Sequence, residues 1–234
     1  MIPIYFAVFF LAASFVSFFN LYDERRRRGE EWMCSRSRCN ACGRNIPWPY
    51  LIPVLGYFLA KGRCTCGEKI SPFHPLTEAI GGILVVFMFV RHGMDSRALL
   101  WTGGIFILYL LAVEDCCYRD VYTKDLIVGG MIFALALFFK NNIYPLSGLF
   151  ILLIMGALYL LFPKAVGEGD IDYASMLALG IEGIWNSYLF FTCAFVTAAV
   201  ISGGLLFFKL TKERAFPMFP FFLWAYVVVE NFLL

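Results

Sequence analysis

The sequence predicts an all-helical protein that crosses a membrane about eight times, with one small cysteine-containing insert on the cytoplasmic side. Three observations carry that expectation. Of the 234 residues, 61% are hydrophobic and only 15% charged, more apolar than the surface of a soluble domain of this size allows. Apolar runs of about 17 to 20 residues recur, the length that crosses roughly 30 Å of hydrocarbon. The basic residues fall on one side of the resulting zigzag: sixteen of the nineteen Lys and Arg lie in the segments that an eight-span path puts in the cytoplasm, as the positive-inside rule requires. The net charge of +2 gives no reason to expect nucleic acid as a partner.

Taken in order, the first run, residues 3–22, has no charge before it and "DERRRR" after it. A cleavable signal peptide carries its positive charges first and ends in a small-residue cleavage site. This segment is therefore expected to be a retained helix with its N-terminus outside. Residues 23–73, rich in Arg, Cys, Gly and Pro, form the only long polar segment and read as a cytoplasmic insert. Seven apolar runs follow, at about 76–90, 98–114, 126–139, 144–163, 171–184, 187–208 and 215–233. The expected organisation is thus a first helix (1–22), an insert (23–73) and a seven-helix membrane domain (74–234). Two of the runs are short, and a pair of spans can be re-entrant or tilted. Only Arg91, Arg97 and Lys140 remain outside.

The insert carries "CNACGRNIPW" and, further on, "CTCGEKI". Cys39 and Cys42 make a C-x-x-C knuckle, Cys64 and Cys66 a tighter C-x-C, and Gly43 and Gly67 follow where a chain must turn sharply. Two such pairs suit a four-thiolate zinc site, structural in role because so short a polar segment has little core of its own. One intervening residue makes a poorer bite than two, so Cys34 is an alternative ligand. Disulfides, disfavoured in the cytoplasm, and unligated thiols are the rival readings. Cys116, Cys117 and Cys193, in or at the ends of spans, read as small membrane-compatible residues.

Ionisable groups at the ends of spans ask for an explanation. Glu114 and Asp115 close the third span, in "LLAVEDCCYRDV", and Asp170 opens the sixth, in "KAVGEGDIDY". The topology brings both places to the cytoplasmic face. Two carboxylates sharing one proton can split a peptide bond: the ionised one takes a proton from water while the protonated one donates to the scissile carbonyl. Gly167 and Gly169 would let an extended peptide backbone approach. Two other readings of the same acids stay open: ordinary interfacial charges, or a cation path, for which Glu182 is the acid near the far side.

With these residues in view, the chain resembles the prepilin peptidases, or type IV leader peptidases, polytopic aspartic proteases of the GxGD kind. The resemblance runs from about residue 14 to 224. "VSFFN" is similar to the family's G-S-F-L-N, with Val16 in place of the glycine. "CNAC" followed by "IPWPYLIPVLGYFLAKGRC" resembles the family's cysteine motif and its W-x-x-N-I-P-x-x-S-y-l. "ISPFHPLTEAIGG" resembles I-S-x-R-Y-P-L-V-E-x-x-T-G, and "FPMFP" resembles P-F-G-P. The family's first catalytic aspartate opens a pattern of Asp, five variable residues and an aliphatic one, matched by "DCCYRDV" at Asp115; Asp120 does not align. The second is the Asp of G-x-G-D, here Asp170.

The resemblance implies an enzyme of the bacterial cytoplasmic (inner) membrane, with its active site facing the cytoplasm. It implies type IV prepilins and pseudopilins as substrates, cut at a glycine after a short basic leader. It also implies N-methylation of the new N-terminus with S-adenosylmethionine, an activity associated in the family with the cysteine-bearing insert. Cys39, Cys42, Cys64 and Cys66 are the zinc candidates. Two departures stand out: C-x-C where the family usually has C-x-x-C, and Asp172 where a lysine often stands. A peptidase without methylation, or a non-catalytic assembly scaffold, are the alternatives.

Overall fold

A computed structural model describes residues 2–31, 36–162, 166–209 and 215–233. Among these, regular structure is helical apart from two isolated bridges. Cys34 lies outside the described residues. The chain forms two compact units, Met1–Gly93 and Met94–Leu234.

In the first unit, α1 (Ile2–Arg27) runs five residues past its expected end at residue 22. The extension has a local cause. Asp23 accepts from Arg27 Nε at 3.2 Å and Glu24 from Arg28 at 2.7 Å, both at the i,i+4 spacing that supports a helix, with the cations in the last turn where the helix dipole favours them. Phe6, Leu11, Phe15 and Phe18 stay exposed, an apolar surface suited to lipid rather than water. α1 packs on α3 (Phe73–His92). Gly82 admits the ring of Phe9, which a Cβ would crowd at 2.6 Å, and Asn20 Nδ2 donates to Thr77 Oγ1 at 3.0 Å in the buried seam. Between these helices lie a 3-10 turn (Trp48–Leu51) and the short α2 (Leu55–Leu59). Gly56 is required there because the Tyr50 carbonyl sits against its Cα, where any side chain would collide.

The second unit holds α4 (Ser96–Tyr118), α5 (Thr123–Lys140), α6 (Pro145–Leu161), α7 (Glu168–Ala178), α8 (Ile184–Phe207) and α9 (Phe219–Val228), the last continued by a π turn to Leu233. Asp95 starts α4 by accepting from Ala98 N–H at 2.7 Å, the side-chain cap that a free helix N-terminus favours. α4 packs against α5 and α9, and α6 against α7. Trp101, Phe133 and Tyr226 make an aromatic core with centroids 5.7 to 6.1 Å apart. Lys140 lies 3.9 Å over the Trp101 ring and bonds Glu230 at 2.6 Å. Glu230 is thus a further acid of this unit, beside the Glu182 that the sequence singles out.

All eight expected runs are helices. Four of them, α1, α3, α4 and α8, are long and apolar enough to cross a membrane, and α6 and α9 are shorter apolar helices. The protein is therefore polytopic and all-α. The expected run 171–184 differs most. α7 has 11 residues, about 16 Å at 1.5 Å per residue. It ends at Ala178, and the turn that follows contains Gly183 at φ 80°. The apolar composition continues through that turn, so hydropathy alone places the end too late.

Candidate active site

Asp115 sits in the last turn of α4, just before the helix is closed by Arg119 in the left-handed region (φ 54°). Glu114 and Asp115 are both buried. Successive residues on a helix point about 100° apart, and the two carboxylates duly serve different neighbours. Glu114 Oε1 accepts from Tyr122 N–H at 3.4 Å, tying the turn into α5. Asp115 Oδ2 accepts from Phe219 N–H at 3.0 Å. Phe219 opens α9, where backbone N–H groups have no partner within the helix and favour a negative group.

Asp170 stands third in α7, half-buried, and its Oδ2 accepts from Gly167 N–H at 3.0 Å. Both aspartates are thus held by backbone donors at helix starts, one on its own helix and one across to a neighbour. The two charges lie within electrostatic reach of each other. Glu168 and Asp172 are exposed, and Glu168 accepts from Tyr159 Oη at 3.0 Å. Asp120 is exposed beyond the end of α4.

Two aromatic residues complete the setting, and neither was singled out in the sequence for this place. Tyr173 stacks on Phe219 with centroids 4.0 Å apart and planes at 14°, and its hydroxyl donates to the Leu108 carbonyl of α4 at 2.8 Å. It joins α7, α9 and α4 behind the carboxylates. Gly169 faces the same ring: a Cβ there would stand 3.6 Å from Phe219. "FPMFP" was legible as a motif, but Phe219 reaches Asp115 through its backbone, which has no side-chain signature. Tyr173 carried one signal, an aromatic three residues after Asp170 and so on its face of the helix.

The four cysteines form a separate cluster in the first unit. Each pair sits in a tight turn. Cys39 N–H donates to Arg44 O at 2.9 Å and Gly43 N–H to Cys39 O at 2.8 Å; Cys64 N–H donates to Glu68 O at 2.8 Å and Gly67 N–H to Cys64 O at 2.8 Å. Gly43 and Gly67 take positive φ, 69° and 91°, which glycine adopts without strain. The thiols are unbridged, and the Sγ atoms of Cys39, Cys42, Cys64 and Cys66 all lie within 4.8 Å of one another. Cys39 and Cys66 are 3.9 Å apart. Zn–S bonds of about 2.3 Å in a tetrahedron need thiolates roughly 3.8 Å apart, so the donor set fits such an ion, and the C-x-C spacing brings both of its sulfurs to the cluster. The Cys66 backbone N–H pulls the Cys64 thiol down to about 6, against a contribution from burial and with further help from Cys39 and Thr65; the thiolate is the form that binds metal.

A family model described as the bacterial peptidase A24 N-terminal domain matches residues 10–92. The chain is 26% identical over 198 residues to the prepilin leader peptidase/N-methyltransferase of Bacillus subtilis strain 168, covering 79% of this chain and 77% of that protein. It is 28% identical over 192 residues to the protein of that name from Klebsiella pneumoniae, covering 76% and 83%. With the Myxococcus xanthus protein it shares 30% identity over 145 residues, 59% of this chain and 43% of the relative. No solved structure matches.

Proposed function

Because this chain belongs to the prepilin peptidase family, we propose that it removes the short basic leader from prepilins and pseudopilins and methylates the N-terminus so exposed. The observation that supports this reading most is the electrostatic interaction of Asp115 with Asp170, 55 positions apart in sequence. One carboxylate, ionised, takes a proton from water as the oxygen attacks the scissile carbonyl. The other, protonated, gives its proton to the carbonyl oxygen. As the resulting diol collapses, the second carboxylate takes back one hydroxyl proton, the C–N bond breaks, and the first carboxyl gives its proton to the leaving amine. No covalent enzyme intermediate forms. The backbone donors from Phe219 and Gly167 hold the carboxylates in register while the proton moves between them.

The site works at the cytoplasmic face of the inner membrane, with the N-terminus of the chain outside. A basic leader stays on that side while the hydrophobic helix behind it lies in the bilayer, so the junction is presented at the depth of the carboxylates. Zinc held by Cys39, Cys42, Cys64 and Cys66 would fasten the two knuckles of the insert. S-adenosylmethionine, when bound, would supply the methyl group for the new N-terminus. The Lys140–Glu230 pair neutralises the acid at the other end of the second unit, which speaks against a continuous cation path.

Purified protein in lipid nanodiscs, incubated with a prepilin, tests the reading by intact mass. The expected products are free leader and a mature chain, the latter heavier by one methyl group only when S-adenosylmethionine is supplied. A prepilin of unchanged mass under all conditions overturns the reading.

A further inference from the structure

The insert of the first unit is polar by composition, yet the segment between its two cysteine knuckles presents an apolar surface. Trp48 is 76% exposed, Phe58 67% and Leu59 54%, and Ile52 and Leu55 are exposed with them. Single exposed apolar residues are ordinary, but this density is not. Nor is the segment loosely built. Leu55 N–H donates to the Pro53 carbonyl at 2.6 Å across a γ-turn, with Val54 at φ 63°, ψ −57°, the rare and strained hand of that turn and a costly conformation for a β-branched residue. Val54 N–H donates to Glu78 Oε2 of α3 at 2.6 Å and holds the turn, while Gly56 lets α2 lie against the Tyr50 carbonyl. A fixed backbone therefore keeps these side chains in the open. The surrounding charges are of one sign. From residue 36 to residue 67 the sequence has Arg36, Arg38, Arg44, Lys61 and Arg63 and no Asp or Glu, and all five cations are exposed. Arg38 pairs with Glu30 at 3.4 Å; Arg44 and Lys61 flank the apolar segment.

The segment is also tethered where a bilayer surface lies. α1 and α3 are both long and apolar enough to cross a membrane. They run antiparallel, with Asn20 beside Thr77 and Phe9 beside Gly82. α1 thus leaves the membrane at the end where α3 enters it, and the insert joins the two at that surface. We infer that the Trp48–Leu59 surface docks into the headgroup layer of the bilayer that α1 and α3 cross, with anionic phospholipid as its partner. Trp48, Phe58 and Leu59 enter the apolar edge of that layer, and Arg44 and Lys61 meet lipid phosphates. Tryptophan favours this depth, where its ring and its N–H both find partners. Apolar side chains immersed there and cations at an anionic surface each strengthen the attachment. The hydrophobic helix of a prepilin is the other apolar candidate, but the basic leader of that proposed substrate would meet these cations as like charges. Docking would hold both cysteine knuckles at a fixed height on the membrane. It requires only that the first unit spans a bilayer, not that the chain cuts or methylates a prepilin.

Photocrosslinking of the full-length protein in lipid nanodiscs tests it, with the photoreactive amino acid benzoylphenylalanine in place of Phe58 and intact mass as the readout. A phospholipid adduct is expected. Its yield should rise about threefold or more as phosphatidylglycerol replaces phosphatidylcholine, since each basic residue near an anionic surface favours the docked state roughly fivefold. Lys61→Glu should cancel most of that rise and, because the side chain is exposed, leave the melting temperature near wild type. The same probe in place of Glu68, on the second knuckle, should take up little lipid. No lipid adduct at Phe58, equal adducts at Phe58 and Glu68, or a yield indifferent to lipid charge overturns the inference. So does a probe at Phe58 that joins added prepilin in preference to lipid, which would make this face a substrate surface. None of these outcomes depends on whether prepilin is cleaved, so the proposed function stands or falls separately.

Discussion

Asp172 is the residue at which this chain differs most tellingly from the pattern it otherwise resembles. It lies two positions past Asp170 and is exposed, where solvent screens its charge. Replacing it by lysine exchanges a nearby anion for a cation and favours the ionised form of the pair. The acidic limb of the cleavage pH–rate profile should then move to lower pH by about half a unit, the size expected for one screened surface charge reversal; an unmoved profile would show that Asp172 does not reach the pair. Gly169 offers a different test. A Cβ there meets only the Phe219 ring, at an ordinary 3.6 Å, so Gly169→Ala should fold and melt as wild type does. If the glycine is there to let the substrate backbone approach, the variant should raise KM for prepilin about tenfold, the effect of losing one or two backbone contacts. Wild-type kinetics would assign Gly169 no part in binding.

Elements were legible in the sequence to the degree that each depends on its own composition. The eight apolar runs are legible as helices because hydropathy is a local property, although only four of them are long and apolar enough to cross a membrane. The start of α4 at Asp95 and the end of α1 depend on side chains a few residues apart, and hydropathy ends α1 too early because the arginine run is a paired last turn rather than loop. α7 was read long because an apolar turn looks like apolar helix. At the candidate site, the charges of Asp115 and Asp170 are legible in the sequence, whereas the parts of Phe219 and Tyr173 are not, because their contributions are a backbone N–H and a ring stack. The knuckles are the element whose role is most open to direct assay. Purified wild type should contain about one zinc per chain, the stoichiometry of a four-thiolate site. Cys39→Ser or Cys64→Ser should lose the metal and lower the melting temperature of the first unit. A metal-free wild type would end the zinc reading.

At the scale of the whole molecule, the account depends on both ends of the chain obeying one topology. If the basic loops lie inside, as the positive-inside rule expects, alkaline phosphatase, active only outside the cytoplasm, should be inactive when fused after Lys69 or Lys124 and active when fused after Gly93 or Asn141. Activity after Lys69 or Lys124 would invert the orientation and take the aspartates away from the leader. The central claim, that Asp115 and Asp170 together cut the leader, has a more direct test. A prepilin is co-expressed with wild type, Asp115→Ala or Asp170→Ala, and its size is followed by immunoblot. Wild type should yield the mature form, and each variant should leave the precursor intact, since neither carboxylate alone can both accept and donate the proton. Mature pilin in cells carrying either variant would contradict the assignment.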